Sequence, residues 1–433
     1  MKTNKKFYVI VIPFILLLSF SPWSNDQIQD DPFQDFEEGS VIYFPIIQNN
    51  SEIFASTSYY LPSTDINFLY DLGCEHGQRD LLLPGTQDSV IVLDFSYPVY
   101  TSELGFGAAL FEDAYSYTEP APLSAIESGV KRFALGYYQC SGDDIHSNLV
   151  IGVGTNNKNL SIQTKSMTEA HGAAWSAMVS NINQWALDNG IIHQVQAYGA
   201  SNMEVGWNSP ELTRAWLSGF EQNGENFMIH FGDASGCPYE DNPHWVCNNY
   251  WTLEDLWYVS WGASSALPLP LIYLNDGVHA KQWAYLSQYS VKEHGYRMDF
   301  TGVFTQYQYC EQWRDAPWSN CDRTDNTPEE AYLQLTTELN KYPETAQILR
   351  WKTDIRWVFE SEVSQAGSIT KQTRDSPHPI YQQIINIKTG LESPQLSRAL
   401  ESSMRAKLQI FNNLASMIEA SMNNPAPKST QMD

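Results

Sequence analysis

The sequence predicts an α/β protein built on a (β/α)8 barrel of the TIM type. Short apolar runs typical of buried strands alternate with helical patterns over most of the chain. Repeated β-then-α order at this spacing indicates a parallel sheet with helical crossovers. An open dinucleotide-binding sheet needs a glycine-rich phosphate turn, and "GVGTNN" lacks the third glycine and has no helix directly behind it. A closed barrel is therefore favoured over an open sheet.

Seven apolar runs are predicted as strands. They are residues 89–95, 132–138, 148–154, 193–200, 226–232, 269–273 and 298–306. Closure needs an eighth strand, and the candidate at 255–262 is ambiguous. Thr252 followed by two acids is typical of a helix start, and Trp257 and Trp261 have helical spacing. The eighth strand is therefore only weakly predicted. If the segment is not a strand, the barrel is irregular.

Amphipathic helices are predicted between the strands and after them. Those between strands are Gly172–Asn189, Glu211–Asn223 and Val278–Glu293. Thr327, Pro328 and Glu330 open another helix through a capping box with proline at its first position. A long amphipathic helix is expected from Pro394 to about Met422. It is expected to dock on the barrel or on a second subunit. A helix that lies on a membrane surface is less favoured, because this helix has few Lys and Arg residues.

The N-terminus predicts export. Three lysines precede the apolar run Phe7–Phe20, which is too short for a comfortable membrane span. A signal peptide over residues 1–23 is expected, with an uncleaved anchor as the alternative because "SFSPWSND" is a poor cleavage site. The predicted domains after it are an acidic lead-in and N-terminal extension (24–67), the barrel (68–360), and a polar linker with the C-terminal helix (361–433).

The charge of the chain excludes two classes of partner. The 433 residues carry 50 acidic against 25 basic side chains, a net charge of −25. Such a surface repels phosphate backbones and anionic lipid, so no nucleic acid is expected and no membrane contact beyond a retained N-terminal anchor. A secreted or extracytoplasmic protein fits this composition.

Six cysteines fit an oxidising compartment. Cys237 with Cys247, and Cys310 with Cys321, bracket short polar loops and form the simplest local pairs, which leaves Cys74 with Cys140. Six cysteines allow 15 connectivities, so other pairings stay open. The Cys237–Cys247 loop also contains acids and one histidine, but its nine-residue gap does not match zinc spacing. No metal and no cofactor are expected.

Three carboxylates stand where predicted strands end. Asp94 closes the first run, Glu204 follows the fourth, and Asp233 closes the fifth. In a barrel of this kind the reactive groups lie at the carboxyl ends of the strands, so these side chains are expected to converge on one rim. Paired carboxylates there suit glycoside hydrolysis. Each acid taken singly is as well explained as a loop carboxylate or a helix cap.

Aromatic side chains add binding candidates. Trp207, Trp245, Trp251, Trp313 and Trp318 lie in predicted loops. Exposed indoles make good platforms for sugar rings, and Trp207 and Trp251 are predicted to bind the substrate in this way. The alternative is that disulfide-bracketed loops use large side chains to build small cores of their own.

The sequence resembles the glycoside-hydrolase-like TIM barrels over roughly residues 68–310. The motifs are "IVLDFS", "ALGYY", "SNMEVGW" and "PLPLIY" followed by "AKQWAYL". The nearest group comprises lysozymes of the glycoside hydrolase 25 type and their secreted relatives. In the lysozyme pattern the first strand ends in an Asp, matched by Asp94, and the fourth carries Asp-x-Glu, whose Glu is matched by Glu204. The paired Asp is replaced by Asn202, a departure that removes one carboxylate.

The function expected is that of a secreted glycoside-hydrolase-like protein acting on a polysaccharide or cell-wall glycan. Glu204 would be the general acid, with Asp94 or Asp233 as its partner. Asn202 and Tyr273 would position the substrate. The alternative is a non-catalytic extracellular barrel that binds a glycan or a protein, since one fold supports both uses.

Overall fold

The structure, a computed structural model, describes residues 53–112, 117, 119–160, 164–222, 224–241, 245–316, 319–358 and 380–423. The predicted signal peptide, Trp318 and the histidine of the Cys237–Cys247 loop lie outside these residues. Eight strands form the central sheet: β1 Ser56–Tyr60, β2 Asp88–Asp94, β6 Asn148–Asn156, β7 Val195–Asn202, β8 Met228–His230, β9 Ala266–Pro268, β10 Gly302–Thr305 and β11 Trp351–Trp357. A small antiparallel sheet after β2 contains β3 Pro98–Thr101, β4 Gly105–Ala108 and β5 Ala121–Pro122.

The central sheet is a nearly closed parallel barrel. Its strands follow the order β10-β11-β1-β2-β6-β7-β8-β9, and every pair is parallel. The two edges meet where Leu271, just after β9, forms a parallel bridge with Phe304 of β10. Across this seam Phe304 donates to Pro270 at 3.0 Å, and Ile272 donates to Phe304 at 2.9 Å. The predicted (β/α)8 class is therefore confirmed.

Helices connect the strands as the alternating pattern requires. They are α1 Ile66–Leu82, α2 Leu123–Cys140, α3 Lys165–Asp188, α4 Pro210–Glu221, α5 Leu253–Trp257, α6 Val278–His294, α7 Tyr307–Trp313, α8 Cys321–Thr324, α9 Pro328–Leu339, α10 Ile380–Leu391 and α11 Arg398–Met422. The ambiguous segment 255–262 is helical: Thr252 and Asp255 form a capping box, and a π-helical turn, Tyr258–Gly262, follows. Among the residues that the structure describes, no helix is long and apolar enough to cross a membrane.

One predicted strand is wrong. Residues 132–138 lie inside α2, whose buried residues Ile126, Val130, Phe133 and Tyr137 recur at helical spacing. The helix also packs backbone to backbone against α1, because a Cβ on Gly136 would clash with the carbonyl oxygen of Tyr70. The apolar run is therefore part of a helix that is buried on more than one side. Over seven residues such a run has the same hydrophobic pattern as a buried strand.

Two strands escaped the hydrophobic pattern. β1 reads "STSYY" and β11 reads "WKTDIRW". Their polar residues are buried and paired across the sheet: the Ser58 hydroxyl lies 2.8 Å from the Thr353 hydroxyl and accepts from the Val92 amide at 2.8 Å. Since β1 starts at residue 56, the barrel begins earlier than the predicted boundary at residue 68.

Three disulfides join the cysteines as the local pairing predicted. They are Cys74–Cys140, Cys237–Cys247 and Cys310–Cys321. The first ties α1 to α2, and the other two close loops that follow β8 and α7. Three structural disulfides are typical of a protein that folds outside the reducing cytosol.

The long C-terminal helix docks on the barrel itself. Phe411 of α11 packs on Phe227, which precedes β8, with ring centroids 4.1 Å apart. His193, which precedes β7, lies within hydrogen-bond distance of Ser421 at 3.0 Å. These contacts fall at the amino ends of the strands, so α11 packs at that end of the barrel.

A buried lysine fixes this docking. The Lys407 ammonium donates to the carbonyl oxygens of Trp261 and Ala263, both at 2.6 Å, and to the Ser403 hydroxyl at 2.9 Å. Burial lowers the pKa of Lys407 to about 7, so desolvation disfavours its charged form. Three acceptors offset that cost by satisfying all three donors of the ammonium.

We predict that Lys407→Met lowers the free energy of unfolding. Methionine removes the charge but leaves two buried carbonyls without these partners, at a cost of about 1–3 kcal/mol each. Chemical denaturation of both proteins measures the difference. Lys292→Met, at an exposed site on α6, is the control and should change stability by less than about 0.5 kcal/mol. Equal or higher stability of the Lys407 variant would mean that desolvation of the ammonium outweighs its hydrogen bonds.

Candidate active site

The three predicted acids meet at the open end of the barrel. Asp94 is the last residue of β2, Glu204 follows β7 by two residues, and Asp233 follows β8 by three. All strands of the central sheet are parallel, so these positions share its carboxyl rim. Asp94 and Asp233 are buried and Glu204 is half-buried. We call this rim, with Asp94, Glu204 and Asp233, the mouth of the barrel. Its side chains are the ones that can act on a ligand.

The backbone of Glu204 is held by a side chain that the sequence reasoning missed. The Asn157 amide, one residue after β6, accepts from the Glu204 N–H at 3.1 Å and donates to the Glu204 carbonyl at 3.0 Å. Asn157 is itself buried, and its own carbonyl accepts from Asn208 at 3.0 Å. An asparagine in a loop gives no sequence signal that separates this role from an ordinary turn.

The β8 turn brings Asp233 beside Glu204. Gly232 passes so close to Met203 that a Cβ would clash with the Met203 carbonyl oxygen. The Asp233 carboxylate then accepts hydrogen bonds from the backbone amide of Val205 and from the Tyr273 hydroxyl. Its Oδ1 also accepts from the Ser235 amide at 3.3 Å. The amide of the residue directly after Glu204 thus binds Asp233, which makes the two acids neighbours.

Their surroundings set the two carboxyl groups apart. Burial, followed by the negative charge of Asp233, raises the pKa of Glu204 well above its usual value. Burial also raises the pKa of Asp233, but the hydrogen bonds from Ser235, Val205 and Tyr273 limit the rise to about 6. Of the two acids, Asp233 is therefore the first to ionise as the pH rises, and Glu204 holds its proton more tightly. Two acids with separated pKa values are what acid–base chemistry requires.

Asp94 has a free oxygen in the same mouth. Its Oδ1 accepts from the Ser96 amide at 2.8 Å, in a turn that holds Ser96 at a φ of 71°. Its buried Oδ2 has no hydrogen-bond partner among the described residues. Burial raises the pKa of Asp94 to about 7, because the charged form loses its hydration. An unpaired buried carboxyl oxygen is costly and marks a position where a ligand hydroxyl could bind.

Asn202, the predicted substrate-binding residue, also keeps one polar atom free. Its side-chain amide donates to Glu204 Oε1 at 3.2 Å, and its buried Oδ1 has no partner in the described part of the chain. Where the lysozyme-type pattern has an aspartate, this chain therefore has a neutral donor to the candidate acid. The third carboxylate of the mouth comes instead from β8, as Asp233.

Tyr60, at the end of the missed strand β1, faces the acids. It pairs in register with Asp94, and its ring packs on Trp357 at 4.7 Å and on Phe111 at 5.1 Å. Burial and the nearby charges of Asp94 and other mouth groups, Glu204 among them, raise the pKa of its hydroxyl. Tyr60 therefore stays protonated as a hydrogen-bond donor. It was missed because the polar run "STSYY" does not look like a barrel strand.

The predicted tryptophans divide between the surface and the core. Trp207 is 38 % exposed, and the Lys158 ammonium lies 5.8 Å from its ring centroid. Trp251 is 1 % exposed and donates to the Asn208 carbonyl at 2.7 Å, so its ring has no face open to a ligand. The binding role expected of Trp251 is therefore replaced by packing. Trp245 donates to the Gly236 carbonyl at 2.9 Å inside the disulfide loop, as the loop-core alternative expects.

The donor set of the mouth suits proton transfer. Among the described residues no group of three or more His, Cys, Asp or Glu side chains is arranged to hold a metal ion. What the mouth offers is two neighbouring acids of unequal proton affinity, a third carboxyl with a free oxygen, and the hydroxyls of Tyr60 and Tyr273. These are the groups that general acid–base and nucleophilic carboxylate chemistry use.

We predict that Asp94→Asn stabilises the protein as the pH rises. The pKa of Asp94 is raised from 3.8 to about 7, so between these values the folded chain retains a proton that the unfolded chain loses. Stability of the wild type therefore falls across this window, and asparagine abolishes that loss. The gain should be near zero at pH 4 and reach up to about 4 kcal/mol at pH 8.

Thermal unfolding at pH 4 and pH 8 checks this. Asp71→Asn, at an exposed position of α1, controls for the loss of one negative charge. A gain that is the same at both pH values would show that Asp94 is not a buried, proton-retaining carboxyl.

Comparisons with known proteins leave the resemblance as a prediction. No family model matches the sequence, and a search of curated proteins finds no significant similarity.

Proposed function

We propose that this protein is a glycoside hydrolase that cleaves a polysaccharide at the carboxyl mouth of its barrel, with Glu204 as general acid. The observation that carries the proposal is the adjacent pair Glu204 and Asp233, joined through the Val205 amide and unequal in their affinity for a proton. Hydrolysis of a glycosidic bond needs one carboxyl that is protonated and one that is ionised at the same pH.

The two acids take complementary parts in this reaction. Glu204 donates its proton to the glycosidic oxygen as the bond to the anomeric carbon breaks. Asp233 supplies the negative charge that the oxocarbenium-like transition state requires, as nucleophile or as the base that takes a proton from water. Asn202 and Tyr273 hold the two carboxyl groups in place through their hydrogen bonds.

The remaining polar atoms of the mouth support a sugar as ligand. Asp94 Oδ2 and Asn202 Oδ1 are buried without partners among the described residues, so both can accept hydrogen bonds from hydroxyl groups. Tyr60 contributes a hydroxyl donor above the Trp357 ring. A pyranose combines hydroxyls at its edge with apolar C–H faces, and this mixture of free acceptors and aromatic rings complements it.

We predict that Glu204→Gln lowers turnover about 10²–10⁴-fold, because glutamine keeps the shape of the side chain but cannot deliver a proton. The measurement is reducing-end release by purified protein on a panel of glycans, with binding recorded on the same panel. The melting temperature should hold or rise, since the half-buried carboxyl is not an ion-paired support of the fold.

Glu211→Gln, at an exposed position of α4, is the matched control and should keep wild-type turnover. Unchanged turnover in a folded Glu204 variant would contradict the assignment. Glycan binding by the wild type with no turnover on any panel member would instead establish the non-catalytic binding barrel.

The pH profile tests the partner. We predict that kcat/KM of the wild type rises with pH through about 6 as Asp233 ionises, since only its ionised form can act as nucleophile or base. Asp233→Asn should abolish turnover on natural glycans, and the acidic limb of the pH profile should disappear with it. An acidic limb that persists in residual activity of the Asp233→Asn protein would assign it to another group, with Asp94 the next candidate.

A further inference from the structure

An exposed tyrosine follows the disulfide-closed loop at the carboxyl end of β8. Tyr250 is 93 % exposed and lies in the segment that follows β8, beyond Asp233. A ring this exposed contacts little of the protein, so both its faces are available to a ligand. The ring is a candidate for binding something outside the chain.

The backbone beneath the ring is strained. Asn249 and Tyr250 both have positive φ, at 54° and 63°. The left-handed region costs a non-glycine residue of order 1–3 kcal/mol and persists only where the surroundings enforce it. The enforcing contacts flank the pair: Cys247 is fixed by its disulfide, and Trp251 is buried. The chain thus retains an unfavourable conformation whose visible result is a presented tyrosine ring.

A hydrogen bond between their neighbours in the chain links Tyr250 to the segment that carries the exposed indole of Trp207. The buried Trp251, adjacent to Tyr250, donates to the carbonyl of Asn208, which is adjacent to Trp207. Trp207 in turn lies three residues from Glu204, and its backbone N–H donates to the Glu204 carbonyl at 3.1 Å. These two hydrogen bonds connect the candidate acid Glu204 to Trp207, and the segment of Trp207 to that of Tyr250.

We propose that Trp207 and Tyr250 form an outer subsite that binds further units of a neutral polysaccharide chain entering the mouth. The inference rests on the proposed function and adds the substrate class. Two aromatic rings in succession from the reaction centre suit a polymer of sugar rings, each with an apolar face. The net charge of −25 repels a polyanionic chain, so the polymer is an uncharged one.

The test is affinity electrophoresis of the full chain, carried out with the Glu204→Gln protein so that the polymer survives. The gels contain hydroxyethylcellulose, xylan or galactomannan as neutral probes. Carboxymethylcellulose provides an anionic counterpart with the same backbone as the first. We expect retardation by at least one neutral polymer and none by carboxymethylcellulose.

Tyr250→Ala and Trp207→Ala should each weaken that retardation about 3–10-fold, the loss typical of one aromatic contact. Tyr342→Ala is the matched control: this tyrosine is 45 % exposed, follows α9 at the opposite end of the barrel, and should have no effect. Binding of a disaccharide of the same sugar should be unchanged by Tyr250→Ala, because the outer subsite lies beyond its reach.

Each outcome decides the inference. Unaltered polymer binding by the Tyr250 variant, or no retardation by any neutral probe, overturns it. Equal loss for polymer and disaccharide would also overturn it, since that pattern reports a distorted mouth. If Tyr250→Ala weakens polymer binding while the wild type releases no reducing ends, the subsite stands and the proposed hydrolysis fails.

Discussion

The candidate site depends on the amide side chain of Asn157, which binds both backbone polar groups of Glu204. This contact fixes the chain as it leaves β7, and the fixed chain then carries the Val205 amide to Asp233. Without it, among the described residues, the backbone of Glu204 would keep only the hydrogen bond from the Trp207 amide, and its carboxyl group only the one from Asn202. A bidentate amide contact from a neighbouring strand is a rigid support of the kind that a reactive pair needs.

The acids of the mouth are held at a cost in stability. Asp94 and Asp233 are buried with raised pKa values, and burial and the charge of Asp233 raise the pKa of Glu204. Groups that destabilise the fold in this way are expected where a ligand or a reaction uses them. At the opposite end α11 and its buried Lys407 satisfy their polar groups within the protein.

Much of the fold could be predicted from the alternation of apolar runs and helices. The strands that failed show the limit of hydrophobic patterning: β1 and β11 bury serine and threonine pairs, as at Ser58 and Thr353, so their sequences look polar. The error at 132–138 has the opposite cause: most of this run is fully buried, and the polar residues that show the helical period of α2, such as Glu127 and Lys131, come before it. Local capping chemistry was more reliable, as the box at Thr252 shows.

The acids of the site could be predicted because strand ends are readable, whereas their supports could not. Asn157 acts across strands, Tyr60 lies on an unrecognised strand, and the approach of Gly232 to Met203 is a tertiary contact. Trp251 failed as a ligand platform because loop position does not reveal burial. Residue type and spacing therefore located the chemistry, while the geometry that tunes it required the structure.

The central claim is that Glu204 and Asp233 share a site in which burial and the charge of Asp233 together raise the pKa of Glu204. Carboxyl titration by ¹³C NMR on selectively labelled protein, with wild type and Asp233→Asn compared, tests it most directly. The account predicts that Glu204 remains protonated at neutral pH in the wild type and that its pKa falls when Asp233 loses its charge. A Glu204 carboxyl that ionises at its ordinary value near 4.5, unchanged by the substitution, would contradict it.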